Sequence, residues 1–224
     1  MGLEKEIRNK TIRYKSRLYI IVGFFLILIG IGIYVGKIMY NNYLDSKDIK
    51  EVEEFLNLQE EKDVDEIYFD TEVIEEIEDI TSPADTNYIG VLEVPKINLK
   101  RGFLAINNPD NTVSKNIQVI KESDMPDVEN GLLIIAGHSG TGRLAFFKEL
   151  YKLTDMDKEF VYYQNKKYTY TVIDKYEVEK TGRALIKRKK NITSLALITC
   201  NQEDKTKQII YILRQDSKED LIDE

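Results

Sequence analysis

Gly131-Leu-Leu-Ile-Ile-Ala-Gly-His138 and Leu195-Ala-Leu-Ile-Thr-Cys200 are two short apolar runs, and each stops at a residue type that occurs once in the 224-residue chain. Runs of this length, rich in Leu and Ile and bounded by Gly or polar residues, read as strands. A lone histidine and a lone cysteine at two strand ends is a pattern of chemistry rather than packing. If the two strands are neighbours in one sheet, both side chains stand at the same rim.

Upstream, Leu18 to Gly36 runs for nineteen residues without a charge. At about 1.5 Å per residue that stretch spans roughly 28 Å, close to the thickness of a hydrocarbon core. It reads as a transmembrane helix over residues 18–37. A cleavable signal peptide is the competing reading, but the apolar run is too long and no small-x-small cleavage site follows it. Residues 1–17 carry six basic residues against two acidic ones. The positive-inside rule therefore places this tail in the cytoplasm and residues 38–224 outside. An exported chain normally pairs its thiols. Cys200 has no internal partner, so it is either an intermolecular link or a thiol kept for chemistry.

Residues 38–82 hold three basic residues against sixteen acidic ones. Apolar residues within that stretch at Ile49, Val52, Phe55 and Leu56, and again at Val73, Ile74, Ile77 and Ile80, have the spacing of amphipathic helix. The expected role of residues 38–85 is an acidic, solvated stalk or linker. Thr81-Ser82-Pro83-Ala84-Asp85 is a breaker cluster and marks the boundary of a body over residues 86–216, with an acidic tail at 217–224. That body is nearly neutral, and no basic field argues for nucleic acid. Its texture is strand-like at Ile89–Val94, Gly102–Ile106, Gly131–Ala136, Glu159–Tyr163, Lys167–Ile173, Ser194–Thr199 and Gln208–Leu213. Gln164-Asn165 predicts a hairpin turn. Ala145 to Leu153 alone has clear helical spacing. The fold class is mainly β, an antiparallel barrel or sandwich of seven to eight strands with short connecting helices.

A thiol ionises near pH 8.5, so a nucleophilic cysteine needs a base beside it. A Cys/His pair is the minimum for covalent acyl transfer. At these residues the chain resembles a known family. Ala136-Gly-His138-Ser-Gly with Phe146-Phe147-x-x-Leu150, and Ala196-Leu-Ile-Thr-Cys200, look like the two hallmark segments of the sortases, membrane-anchored cysteine transpeptidases of Gram-positive bacteria. Ile89-Gly-Val-Leu-Glu-Val-Pro-Lys-Ile is similar to the family's first barrel strand. The resemblance spans roughly residues 87–215 and implies a closed barrel. In the family the cysteine segment usually begins with Thr where Ala196 stands here.

The resemblance implies that Cys200 is the nucleophile, forming a thioester with a C-terminal sorting motif of a secreted protein. His138 is then the acid for the departing amine and the base for the incoming one. The expected partners are secreted proteins with a sorting signal, an amine of a peptidoglycan precursor or a pilin, and the membrane; no cofactor is implied. The family's third residue, an arginine opening the last strand, falls at Gln208 here, with Lys207 adjacent. Arg214 has the same strand parity as Gln208 but lies six residues on, roughly 20 Å along a strand. Gln208 or Lys207 is therefore the expected oxyanion or substrate-carbonyl contact. Arg143 is a looser candidate for substrate contact, weighed against a solvated loop arginine. Lys187-Arg-Lys-Lys190 reads as a solvated basic loop. One His and one Cys give no zinc shell, and Asp124, Asp127 and Glu129 are a weak calcium candidate. Two other functions remain open: a hydrolytic cysteine protease, although papain-like enzymes place Cys before His, and a catalytically silent surface binding module.

Overall fold

The computed structural model describes residues 2–61 and 87–221. Its N-terminal helix, α1 (Gly2–Glu61), is followed by eight strands: β1 (Tyr88–Val94), β2 (Leu99–Leu104), β3 (Gln118–Val119), β4 (Leu132–Ala136), β5 (Lys158–Tyr163), β6 (Lys166–Glu179), β7 (Ser194–Cys200) and β8 (Lys207–Asp220). Met1–Lys47 and Asp48–Glu224 are separate compact units. Within α1, the stretch Ile21–Gln59 contains a window long and apolar enough to cross a membrane, with its side chains unburied. The segments expected at 62–85 and 222–224 lie outside the described residues.

The strands form one sheet in the order β2-β1-β5-β6-β8-β7-β4-β3. The ends of that order approach each other, with Asn116 just before β3 donating to Gly102 O in β2 at 2.8 Å. The result is a nearly closed, mainly β barrel. Six of the seven strand pairings are antiparallel and one, β4 with β7, is parallel. Gln164 and Asn165 both take positive φ, 49° and 58°, which is the two-residue turn that matches strand twist between β5 and β6.

The apolar runs are continuous because β4, β7 and β8 are covered on both faces. Alternate residues point opposite ways. Leu133, Ile135, Leu195, Leu197, Tyr211 and Leu213 fill the barrel with Leu92, Phe103, Phe147 and Val161. Leu132, Ile134, Ala196, Ile198, Ile210 and Ile212 form a second apolar cluster on the outer face. Burying each such side chain contributes about 1.5–3 kcal/mol.

Residues 145–153 differ from the helix their spacing predicts. They fold as turns ending in a 3₁₀ turn, Leu150–Lys152. The bonds are of i to i+3 type, Lys148 N to Ala145 O at 3.1 Å and Leu150 N to Phe147 O at 3.1 Å, while the Phe147 N–H donates to His138 O at 2.9 Å. A long-range partner has taken the donor an α-helix would need. The buried apolar residues of this stretch are oriented inward by that tether, not by helical periodicity.

Glu159 on β5 is fully buried, and neither carboxylate oxygen has a hydrogen-bond partner. Burial pushes its carboxyl up to about 8, reinforced by Asp157 and Glu93 and opposed by Lys96. A folded-state pKa above the unfolded value means that the folded chain holds the proton more tightly. Stability is therefore fully present below pH of about 4 and declines as pH rises toward 8. Glu159→Gln is expected to flatten that decline, which approaches about 1.4 kcal/mol per pH unit where the two states differ by one proton. Thermal unfolding of both proteins from pH 5 to 9 checks it; parallel profiles would refute it.

Candidate active site

The parallel pairing of β4 with β7 runs from Leu132↔Ser194 to Ala136↔Ile198. Beyond the last pair it continues as side-chain and backbone bonds: the Gly137 N–H donates to Ile198 O at 3.0 Å and the Thr199 hydroxyl donates to Gly137 O at 2.9 Å. One residue later, the Ser139 hydroxyl donates to Cys200 O at 2.5 Å. His138 lies two residues past the end of β4 and Cys200 is the last residue of β7, its parallel neighbour, strands of one sheet lying about 4.8 Å apart. His138 is exposed and Cys200 half-buried, with a free thiol.

Five contacts hold these two strand ends. Phe147 is fully buried, and its ring lies where a Cβ on Gly137 would meet it at 2.7 Å, so only glycine fits between the ring and the strand. Ser139 and Thr199 are both buried, and each side-chain hydroxyl donates across to the partner segment. The Gln202 amide donates to Ser139 O at 2.8 Å and Lys148 O at 2.5 Å, tying the turn after Cys200 to the histidine loop. Ser139 and Gln202 had only adjacency to His138 and Cys200 to mark them in the sequence.

Strand parity separates the two candidates for the third residue. Gln208 pairs directly with Cys200 and lies on its face of β8, the face of Ile210 and Ile212. Lys207 points the other way and pairs with Glu177 at 3.2 Å and Asp204 at 3.8 Å. The Glu177 carboxylate raises the Lys207 pKa, and it also accepts from Asn201 at 2.7 Å. Arg214 pairs with Ser194 at the far end of β7 and is held by Asp216 at 3.0 Å. Arg143 is directed to Asp48 at 2.5 Å. A cavity of about 340 Å³ opens beside Cys200, lined by Ser139, Phe147, Tyr151, Glu177 and Gln202 among others. The calcium candidate is not assembled: among the described residues no group of three His, Cys, Asp or Glu side chains comes together to hold a metal. The Asp124 carboxylate instead accepts the Leu132 N–H at 3.0 Å.

A half-buried free thiol beside a cavity, with the lone histidine just past the end of the neighbouring strand, is an arrangement suited to acyl transfer. The sortase domain model matches residues 92–214. Sortase A of Bacillus anthracis is 26% identical over 211 residues, covering 88% of this chain and 93% of that protein. Sortase A of Listeria monocytogenes superposes with a TM-score of 0.51 at 20% identity, over 61% of this chain and 92% of that one. Sortase C2 of Group B Streptococcus pilus island 1 superposes with a TM-score of 0.53 at 16% identity, over 58% and 75% of the two chains. The chain belongs to the sortase family, whose members are cysteine transpeptidases.

Proposed function

We propose that this chain is a single-pass membrane transpeptidase that cleaves a C-terminal sorting motif through a thioester on Cys200 and passes the acyl group to an amine. The observation that supports this reading is the parallel β4/β7 pairing, which brings the ends of the two strands that precede His138 and include Cys200 side by side. In the first half-reaction the Cys200 sulfur attacks the scissile carbonyl, the C–N bond breaks, and His138 gives its proton to the leaving amine. In the second, an incoming amine loses a proton to His138 and displaces the sulfur, which returns both side chains to their starting state. The thioester conserves the energy of the cleaved peptide bond, so the reaction needs no nucleotide.

Negative charge develops on the substrate carbonyl oxygen during both steps. In this reading Gln208 donates to it from the neighbouring strand, and Lys207 stays with Glu177. Removing one such donor typically costs about 10²- to 10³-fold in kcat. Gln208→Ala is expected to lose about 100-fold in kcat with KM little changed, whereas Lys207→Met is expected to retain activity within a few-fold. Steady-state kinetics on a sorting peptide measure both, and the reverse pattern would move the role to Lys207.

The basic tail before the apolar span supports a cytoplasmic N-terminus and an extracytoplasmic barrel. The substrates are then secreted proteins bearing a sorting signal, and the acceptor is an amine of a peptidoglycan precursor or a pilin. Product analysis with and without added amine tests the transfer step. A ligated product that grows with amine concentration supports it; free acid alone under every amine would make the chain a hydrolytic protease. A thiol-reactive sorting-peptide analogue tests the remaining alternative, since a silent binding module would form no adduct at Cys200.

A further inference from the structure

Four cations line one cavity at the end of the sheet away from the thiol. Lys187, Arg188 and Lys189, just before β7, border a space of about 420 Å³ together with Arg214 of β8. Arg214 pairs with Ser194, whereas Cys200 pairs with Gln208, so the two ends of this pairing lie roughly 20 Å apart. The run Lys187-Arg-Lys-Lys190 reads in sequence as a solvated loop, yet three of its four residues line this cavity.

Isoleucines complete the lining. Ile212 lies on the same face of β8 as Arg214, two residues before it. Ile173 is the extra residue of a bulge in β6, between Val172 opposite Leu213 and Asp174 opposite Ile212. A bulge re-aims the side chain it carries, and Ile173 is left 39% exposed in the cavity wall with Ile192.

The positive charge of this lining is only partly met from within the chain. Arg214 is held by Asp216 at 3.0 Å, while Arg188 donates to Asn130 O at 3.0 Å and comes no nearer to Asp124 than 3.9 Å. Among the described residues no carboxylate pairs with the Lys187 or Lys189 ammonium; that of Lys187 lies 4.9 Å over the Tyr176 ring. Asp174, the carboxylate of the lining, accepts the Lys175 N–H at 2.8 Å. Gathered cations repel one another, and an anion among them relieves that repulsion. Guanidinium forks beside ammonium groups match the oxygens of a phosphate, and exposed isoleucine matches a methylene stem.

We propose that this cavity binds a phosphate group carried on an apolar stem, the headgroup chemistry of an anionic phospholipid, and so gives the barrel an attachment to a membrane in addition to the apolar span of α1. Cys200 takes no part in this binding.

Lysine acetylation of the full chain in an uncharged detergent, read by mass spectrometry, reports which ammonium groups are engaged. Dihexanoyl phosphatidylglycerol is the probe. Dihexanoyl phosphatidylcholine supplies the same stem without net charge, and inorganic phosphate supplies the charge without the stem. Lys205, exposed and outside the lining, is the reference in each sample. At about four times its Kd, phosphatidylglycerol is expected to slow acetylation of Lys187 and Lys189 about five-fold relative to Lys205. Phosphatidylcholine is expected to leave the rates unchanged. Inorganic phosphate is expected to need about ten-fold more ligand, the worth of two buried methylene groups. Arg214→Gln removes a cation that acetylation does not read and is expected to weaken the protection by phosphatidylglycerol about ten-fold. Arg183→Gln makes the same change of charge at an exposed residue outside the lining and is expected to have no effect. Absence of protection with every probe, or equal protection by the two phospholipids, would overturn the site. Arg214→Gln and Arg183→Gln behaving alike would reduce it to a diffuse field and overturn it as well. Inorganic phosphate acting as well as phosphatidylglycerol would overturn the lipid and leave a site for free phosphate.

Discussion

Cys200→Ala is expected to abolish thioester formation and peptide cleavage altogether, while the barrel unfolds at the parent temperature. Cys200 is half-buried on the outer face, and the bonds that fix its strand end come from its backbone carbonyl, which alanine retains. His138→Ala is expected to lower kcat by about 10²- to 10⁴-fold, the range of a lost general acid–base. The double variant should be no worse than Cys200→Ala, because groups acting as one unit are not additive. Single-turnover assays with a fluorogenic sorting peptide measure the losses, and calorimetry monitors the fold. A His138→Ala enzyme with parent kcat would detach the imidazole from the chemistry, whatever its place on the rim.

The second large effect is on stability and lies away from Cys200. Asp48, in the part of α1 that belongs to the barrel unit, accepts from Arg101 at 2.7 Å and Arg143 at 2.5 Å. Arg101 is 7% exposed. Its guanidinium also donates to Asn116 at 2.6 Å and lies 4.4 Å over the Phe146 ring. Val52, one helical turn on from Asp48, is buried as well. Asp48→Ala leaves a buried guanidinium without its carboxylate, and breaking such a pair costs about 3–5 kcal/mol. At about 2–4 °C per kcal/mol for a domain of this size, Tm is expected to fall by roughly 10 °C. Arg101→Met in the same chain should recover part of that loss, since it removes the stranded charge. Thermal unfolding of the single and double variants reads both; a drop below about 2 °C would mean that the pair contributes little.

Much of the barrel was legible because it depends on short-range signals. Seven of the eight strands follow from β-branched and aromatic runs between breakers, and the Gln164-Asn165 turn follows from residues that tolerate positive φ. The missing strand, β3, is two residues long and leaves no periodicity to find. The overestimated helix at 145–153 had apolar residues at the right spacing, but that spacing equally serves a tethered series of turns once Phe147 binds His138 O. β6 and β8 run seven and eight residues beyond their apolar stretches because each supplies the other's backbone partners, through Lys166↔Asp220 at one end and Glu179↔Lys207 at the other. No local composition announces that extension.

For the site, the sequence by itself determined the candidates. A single His and a single Cys close two apolar runs, and Gln208 and Lys207 are the candidates that the resemblance to the family offers for a third residue. Residue type and spacing along a chain fix what can react, and they end there. Which strand ends lie side by side was decided by a parallel pairing between strands separated by an entire hairpin, contrary to the antiparallel habit of the rest of the sheet. The same pairing shows why parity matters: a one-residue shift sends a side chain to the opposite face. Gln208 therefore shares the face of Cys200 while Lys207, its immediate neighbour, is committed to Glu177. Register is a property of two strands together, and only the tertiary structure contains it.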